Sequence, residues 1–157
     1  MTQPNLERLT ELKLTPEIQK IINEAFEPMD LPFIMAHVDD DGRPTMSWRG
    51  SVVALGETEI GVWARHADGG TVRSLEQRPD VMLAYRESGG PGKPSRAVLN
   101  ICGKARIDRT EAGRHRVYDV MAERERRGDP DMGGVAIVID LESVSGIIPG
   151  HLLQMRK

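Results

Sequence analysis

The segment "GGTVRSLEQRPDV" (Gly69–Val81) combines residue types that suit the binding of a phosphate group. Its two glycines let the backbone approach an anion closely, because neither carries a Cβ. Thr71 is expected to cap a short helix, whose start offers free backbone N–H groups and a partial positive charge. Arg73 can donate paired hydrogen bonds to phosphate oxygens. A capped surface turn with solvated arginines is the simpler interpretation, and the segment alone leaves both open.

Two preceding segments bring further polar and aromatic residues towards this turn. Arg49 lies inside the predicted strand "TMSWRGSVVAL", where a charge needs a partner or a solvent-filled groove, and Gly50 allows a close approach. The chain has two tryptophans, Trp48 and Trp63, each near the arginine-bearing end of its strand; the second strand, "EIGVWAR", ends at Arg65. Core packing for the tryptophans and a surface ion pair for Arg49 are the simpler alternatives. The coincidence of these residues around one turn favours an anion site.

Other residues of chemical interest predict no second site. The four histidines have no metal-ligand spacing with one another or with Cys102, so no metal site is expected. Asp39–Asp41 precede Gly-Arg-Pro and are interpreted as turn residues. His66 follows Arg65 directly, but we do not expect it to have a function. Cys102 is the single cysteine, which excludes an internal disulfide.

Composition limits the class of protein. The chain of 157 residues, with 39% hydrophobic and 29% charged residues, suits one globular domain spanning residues 1–157. Its net charge of −3 argues against general nucleic-acid binding. No apolar segment approaches the roughly 20 residues that cross a bilayer, so no membrane association is expected. The N-terminal segment lacks the apolar stretch of a signal peptide, and with the single cysteine this predicts a cytoplasmic protein. We expect residues 1–13 to be flexible.

The hydrophobic periodicity predicts a mainly β, α+β fold. A helix is expected over Thr15–Phe26, with Thr15 as its cap and Pro16 in its first turn. About six strands follow, mostly linked as hairpins, the first of them by an Asp41–Gly42 turn. A second long helix, "TEAGRHRVYDVMAERERR", precedes the last strand, and Asp108 with Glu111 resembles a capping box at its start. Such short antiparallel strands predict a small closed or partly closed β-barrel.

Three segments together resemble a known family. "PFIMAHVDDDGRPTMSWRG", "GVWARHADGGTVRSLEQRPDVMLAYR" and "NICGKARID" are similar to the pyridoxamine 5'-phosphate oxidase-like, FMN-binding split β-barrel superfamily. The resemblance covers residues 32–148 and lies in the order of the elements more than in any one motif. It implies a six-stranded antiparallel split β-barrel with an N-terminal helix and a helix before the last strand. It also implies a homodimer with the cofactor at the subunit interface. Carried over to this chain, the cofactor-binding residues are Ser47, Trp48, Arg49 and Gly50 along the flavin ring and ribityl chain, Trp63, Ala64 and Arg65 continuing the pocket, and Thr71, Val72 and Arg73 at the phosphate.

The function implied by this resemblance is that of an FMN-dependent oxidoreductase. It would take electrons from a nicotinamide or another small reductant and act on a small-molecule substrate that the sequence does not identify. No catalytic residue is assigned, because in such enzymes the flavin carries the electron chemistry. The alternative is a non-catalytic protein on the same barrel that binds, stores or senses a flavin, a deazaflavin or haem. A barrel that binds only another protein is the third hypothesis.

Overall fold

The structure, a computed structural model, describes residues 5–93 and 95–157. In these residues nine strands are present: β1 (Glu7–Glu11), β2 (Phe33–Val38), β3 (Pro44–Arg49), β4 (Val53–Ala54), β5 (Glu59–Ala64), β6 (Asp80–Glu87), β7 (Ala97–Asp108), β8 (Val135–Ile148) and β9 (His151–Arg156). The same residues form four helices: α1 (Pro16–Glu24), α2 (Gly70–Gln77), α3 (Glu111–Tyr118) and α4 (Glu123–Arg127).

The strands form one mixed sheet that forks at β8. Along its main path the order is β1-β9-β8-β7-β6-β2-β3. One edge of β8 pairs with β7, while the other edge pairs with β5 over residues 135–140 and with β9 over residues 143–148. β5 carries the short strand β4 on its far side. The fork therefore separates the β4–β5 branch, which ends at the α2 turn, from the β9–β1 branch.

The mainly β fold with a few helices is as predicted, but the predicted arrangement of six antiparallel strands in a barrel is not confirmed. The described strands form a sheet with β1 and β3 at the ends of its main path, and β1 pairs parallel with β9. The predicted strand "TMSWRGSVVAL" breaks after Arg49 into β3 and β4. The predicted last strand is followed by a turn at Gly150, whose φ is +80°, and the chain returns as β9.

The segment expected to be flexible contains β1. Its residues pair through the backbone with β9, and only Leu9 is partly buried, so no hydrophobic periodicity marks this strand in the sequence. Residues 1–4 of the expected flexible segment lie outside the described residues.

The structure confirms the predicted start of helix α1, with Thr15 as its cap. The Thr15 hydroxyl accepts a hydrogen bond from the backbone N–H of Ile18 at 3.3 Å, and Pro16 occupies the first turn. Ile18 and Ile22 are buried against the main core, which explains the apolar stripe. The helix ends at Glu24, two residues before the predicted end.

The second predicted helix is divided in two, and its cap differs from the expectation. Thr110, and not Asp108, caps α3, because its hydroxyl accepts from the N–H of Gly113 at 3.0 Å. Asp108 supports that cap by accepting from the N–H and the hydroxyl of Thr110. After α3 the chain turns, and the separate helix α4 begins at Glu123.

Two apolar clusters lie on either side of β5 and β8. The main core fills the side covered by α1 and α2, and a smaller cluster around Trp63 lies beneath α3. Because both faces are covered, most of β5 and the start of β8 are buried continuously, as the run "VAIVI" predicts. Among the helices of the described residues, none has the length and apolar character needed to span a bilayer.

Candidate functional site

The predicted site segments converge on one cavity. The ends of β3 and β5, the start of α2 and one side chain of α4 enclose a volume of about 330 Å³, which we call the arginine cavity. It is lined by Trp48, Arg49, Gly50, Ser51, Trp63, Ala64, Arg65, His66, Gly69, Gly70, Thr71 and Glu125.

Arg49 connects β3 to the start of α2. Its Nε donates to the hydroxyl of Ser47 at 3.0 Å, and its Nη2 donates to Oγ1 of Thr71 at 3.2 Å. Both acceptors are neutral, so these bonds leave the positive charge unbalanced. Burial lowers the pKa of Arg49; the charge of Glu125 acts in the opposite direction, and that of Arg65 lowers the pKa further. An arginine keeps its charge in proteins, so this poorly solvated guanidinium is well placed to bind an anion.

The start of α2 has a different cap from the predicted one. Gly69 is the cap residue, with extended backbone, and no side chain of the described residues caps the helix. Thr71 lies inside the first turn, where its hydroxyl accepts from Arg49. The first backbone N–H groups of a helix have no partner within it, so this end of α2 presents free donors beside Arg49. The combination suits an anion.

A wall of the cavity comes from α4. Arg65 donates to the carboxylate of Glu125 at 3.1 Å, and the backbone of Gly128 packs on the guanidinium of Arg65. A Cβ on Gly50 would lie 2.6 Å from the ring of Phe26 and 2.7 Å from Oε1 of Glu125. The close approach predicted at Gly50 is therefore made by protein side chains.

The two tryptophans have different environments. Trp48 is 71% exposed and lies at the mouth of the arginine cavity. Trp63 is 2% exposed, and its indole packs edge-on against Tyr118 and donates to Asp129 at 2.9 Å. The indole of Trp63 therefore packs in the core, which was the simpler of the two alternatives considered from the sequence. Of the two indoles, that of Trp48 is available to a ligand.

Asp129 holds the loop beneath Trp63. Its carboxylate accepts from the N–H groups of Gly133 and Gly134, each at 2.9 Å, as well as from the indole. Burial acts to raise the pKa of Asp129, but these hydrogen bonds outweigh it and the pKa lies below the ordinary value. The charged carboxylate therefore stabilises this loop.

A second, acidic cavity lies on the other side of the Arg49–Thr71 bond. It measures about 270 Å³ and shares Gly70 and Thr71 with the arginine cavity. Asp39 stabilises the turn as predicted, since its carboxylate accepts from the N–H groups of Asp41 and Arg43 at 2.9 Å. Asp40 accepts from the hydroxyl of Ser74 at 3.0 Å.

The cavity includes most, but not all, of the predicted site residues. Seven of them line it: Trp48, Arg49, Gly50, Trp63, Ala64, Arg65 and Thr71. Ser47 lies next to it and orients Arg49. The Val72 side chain is buried in the core, so only its backbone N–H can serve a ligand. Arg73 is not among the lining residues: it donates to the carbonyl of Asp68 at 2.7 Å and pairs with Asp40 at 3.6 Å, and its Nη2 lies 3.7 Å from the place of a Cβ on Gly70.

Sequence reasoning missed Ser51 and Glu125 as lining residues, and it placed His66 beside the pocket without expecting a function for it. The hydroxyl of Ser51 bonds to the backbone N–H and carbonyl of Trp63 and so fixes the β5 wall. His66 adjoins Arg65, and the Gly-Gly turn brings it to the rim. Glu125 is far away in the sequence and belongs to the charged run "ERERR", which gives no local indication of a role in a site.

Comparisons with known proteins identify the fold. Neither the protein-family models nor the curated protein sequences contain a match to this chain. Solved structures do match. One is an FMN-binding protein from Syntrophomonas wolfei, with a TM-score of 0.64 and 9% identity over 83% of this chain and 86% of that one. Another is a FAD-binding protein from Mesorhizobium loti, with a TM-score of 0.61 and 16% identity over 85% and 94% of the two chains.

A third solved structure also matches. A candidate pyridoxamine 5'-phosphate oxidase from Lactobacillus delbrueckii has a TM-score of 0.57 and 16% identity over 87% of this chain and 96% of that one. The chain shares its fold with these three proteins, and this is the fold that the resemblance in its sequence predicted.

Proposed function

We propose that this chain binds flavin mononucleotide in the arginine cavity and acts as a flavin-dependent oxidoreductase. The observation that carries the proposal is the position of Arg49, whose hydrogen-bond partners among the described residues are neutral hydroxyls and which lies beside the start of α2. A helix N-terminus with an adjacent arginine is a recurrent phosphate site. The match to FMN- and FAD-binding proteins of the same fold supports a flavin as the ligand.

The residues present fit such a ligand. The N–H groups of the first turn of α2, the hydroxyl of Thr71 and the guanidinium of Arg49 would hold the phosphate. Trp48 offers an exposed aromatic surface at the cavity mouth against which a flat ring can pack. Ser47 and Ser51 hold Arg49 and the β5 backbone in place, so the site is organised before a ligand binds.

The chain's own task would be binding and orientation. A bound flavin supplies the two-electron chemistry, for which proteins contribute position and electrostatics. We propose a nicotinamide or another small reductant as electron donor, and leave the substrate unassigned. The single cysteine is consistent with the cytoplasm, where such donors are found.

We also propose that a second copy of the chain covers the outer face of β3, β2 and β6. Met46 and Trp48 are 72% and 71% exposed and lie opposite Ala36 and Ile34 in the register, and Met82 continues the same face. Contiguous exposed apolar side chains mark interaction surfaces. Because Trp48 belongs both to this face and to the cavity mouth, a partner here would border the bound cofactor.

The decisive test is the absorption spectrum of the purified protein, before and after FMN is added and the excess is removed by gel filtration. Retained peaks of oxidised flavin, absent in Arg49→Ala, would support the phosphate site. Anaerobic addition of NADH or NADPH then tests the oxidoreductase. Retained flavin that neither donor reduces would favour a binding or storage protein. A Soret band in the protein as purified would indicate that the ligand is haem and not a flavin. A colourless protein that does not retain FMN would refute the proposal.

A further inference from the structure

The acidic cavity contains a group of side chains that the proposed function leaves unused. Three aspartates line it, Asp39, Asp40 and Asp41, together with His37, and its other lining residues carry hydroxyl groups or are glycine. Asp40 pairs with Arg73 at 3.6 Å. Asp39 and Asp41 have no ion-pair partner in the part of the chain that the structure describes. Because aspartates are ionised at neutral pH, the cavity lining keeps a net negative charge.

His37 is a buried polar residue without a full set of partners. It lies on the buried face of β2 and is 8% exposed. Its Nδ1 lies 3.4 Å from the carbonyl oxygen of Val38, and no hydrogen-bond partner of Nε2 is found in residues 5–93 and 95–157. A carbonyl oxygen only accepts, so this contact assigns the proton of the neutral ring to Nδ1 and leaves Nε2 as an acceptor. A buried acceptor without a donor is unfavourable, and a donor bound in the acidic cavity would satisfy it.

The walls of the acidic cavity are held in place by contacts between α2 and the β2–β3 turn. The Ser74 hydroxyl, from the buried side of α2, donates to Asp40 at 3.0 Å. Arg78, at the end of α2, donates to the backbone carbonyl of Asp39 at 3.1 Å. The Oδ1 atom of Asp39 accepts from two N–H groups of the turn, which leaves its Oδ2 atom for a ligand. Groups that are already fixed lose little entropy when a ligand binds, so the cavity is preorganised.

We infer that the acidic cavity is a binding site for a small organic cation with an ammonium group. An ammonium group has N–H donors for Nε2 of His37 and for the aspartate carboxylates, and its charge balances theirs. An anion would be repelled, and a neutral molecule would leave the charge uncompensated. A metal ion fits less well, because among the described residues no three histidine, cysteine or acidic side chains are placed to hold one. The volume of about 270 Å³ lies below the roughly 300–1,000 Å³ of pockets for drug-sized ligands, so the cation is small.

The position of the acidic cavity connects this cation to the proposed function. The two cavities share Gly70 and Thr71, and the Ser47 that lines the acidic cavity accepts from Arg49 of the arginine cavity. A cation bound in one would therefore lie next to a phosphate ligand bound in the other, and the opposite charges attract. We assign small organic cations as the substrate class of the flavin on this ground, and that assignment rests on the proposed function. The cation site itself rests only on the acidic cavity.

An NMR titration of the ¹⁵N-labelled chain tests the inference. The probe is 1,4-diaminobutane, which has an ammonium group at each end, and its matched ligands are 1,4-butanediol, which is neutral, and succinate, which is anionic. The backbone amides of Asp41 and Ser74 report on the acidic cavity, because these residues do not line the arginine cavity. We expect the diamine to shift both amides with a Kd at least about tenfold lower than that of either matched ligand.

Two variants examine the groups that bind the cation. Asp39→Asn combined with Asp41→Asn removes two charges but keeps the turn, because asparagine retains an oxygen acceptor and Asn-Gly is a favoured hairpin pair. His37→Leu removes the buried acceptor. We expect each to raise the Kd of the diamine by about three- to tenfold, as for one hydrogen bond or exposed ion pair. The matched control is Asp68→Asn combined with Glu76→Gln, two carboxylates that form ion pairs outside the cavity, and it should leave the Kd unchanged.

The outcomes separate the cation site from the proposed function. No amide shift with the diamine, or equal affinity for butanediol, would overturn the cation site and leave FMN binding in place. Equal losses in the two double variants would also overturn it, since general surface charge would then attract the cation. An unchanged Kd in His37→Leu would overturn the role of His37; if that variant does not fold, the aspartate variant decides alone. Binding of the diamine to a chain that does not retain FMN would support the cation site and refute the substrate assignment.

Discussion

Replacement of Arg49 by alanine should separate ligand binding from stability. In the ligand-free protein, Arg49 donates to two neutral hydroxyls, on Ser47 and Thr71, and its charge is poorly solvated. Hydrogen bonds from a charged donor contribute about 1.5–3 kcal/mol each. Their loss is offset because the hydroxyls face the cavity and because the desolvation of the guanidinium, which costs several kcal/mol for a buried ion, is relieved. We therefore expect the free energy of unfolding to change by less than about 1 kcal/mol.

The effect on binding should be much larger. A hydrogen bond from a charged donor contributes about 1.5–3 kcal/mol, and every 1.4 kcal/mol is a factor of about ten in Kd. Arg49→Ala should accordingly weaken FMN binding by about 10- to 100-fold. The Kd is measured by calorimetric titration, and the free energy of unfolding by urea denaturation of the ligand-free proteins.

Arg73→Ala is the matched comparison, because it removes the same charge a short distance away. The side chain of Arg73 is 58% exposed and directed at Asp40 and the carbonyl of Asp68. A screened charge of this kind should change the Kd for FMN by less than about threefold. Equal losses in the two variants would refute the direct contact assigned to Arg49, since only the general positive field would then matter. A large destabilisation of ligand-free Arg49→Ala would show that the residue is structural.

Three further predictions concern other parts of the molecule. Thr71→Val, which keeps the side-chain shape and removes the hydroxyl, should weaken FMN binding by about three- to tenfold in the same titration, as for one neutral hydrogen bond, and an unchanged Kd would exclude the hydroxyl from the site. Asp129→Asn should destabilise the protein at pH values above 3.8, the ordinary pKa of aspartate, because the pKa of Asp129 is lowered in the folded state. The stabilisation by the charged carboxylate is fully present above pH 3.8 and is lost as the pH falls through the folded-state pKa. Urea denaturation measures the difference in the free energy of unfolding between variant and wild type, and an equal difference at about pH 3 and about pH 7 would contradict the assignment. Met46→Lys should convert the proposed dimer to a monomer in sedimentation experiments, whereas Val120→Lys, at a residue 60% exposed away from that face, should not; a monomeric wild type would refute the dimer.

Local sequence signals predicted the elements that form the site. The Thr15 cap and the spacing of Ile18 and Ile22 predicted α1, and the Asp41–Gly42 pair predicted the β2–β3 turn. These signals act through neighbouring residues: a hydroxyl bonds to an N–H three residues on, and a glycine adopts a positive φ. The order of the strands then brought the ends of β3 and β5 to the start of α2.

Contacts between distant residues could not be predicted in this way. β1 lacks a periodic pattern because its residues pair through the backbone at an exposed edge. Thr71 has the residue type of a helix cap, yet its hydroxyl accepts from Arg49, and Gly69 becomes the cap. Arg73 has the right type and spacing for a phosphate ligand, but the direction of its side chain is determined by Asp40 and Asp68.

The sequence alone determined the mainly β fold, helix α1 and the parts of β3, β5 and α2 that meet at the cavity, because hydrophobic periodicity and turn chemistry are local properties of the chain. The tertiary structure decided which side chains enter that cavity and with what charge. Glu125 shows the difference most clearly: in the sequence it is one of several charges in "ERERR", and only the packing of α4 against Phe26 and Gly50 places its carboxylate beside Arg65. The charge balance of a site depends on distances between residues far apart in the chain, and those distances exist only in the folded protein.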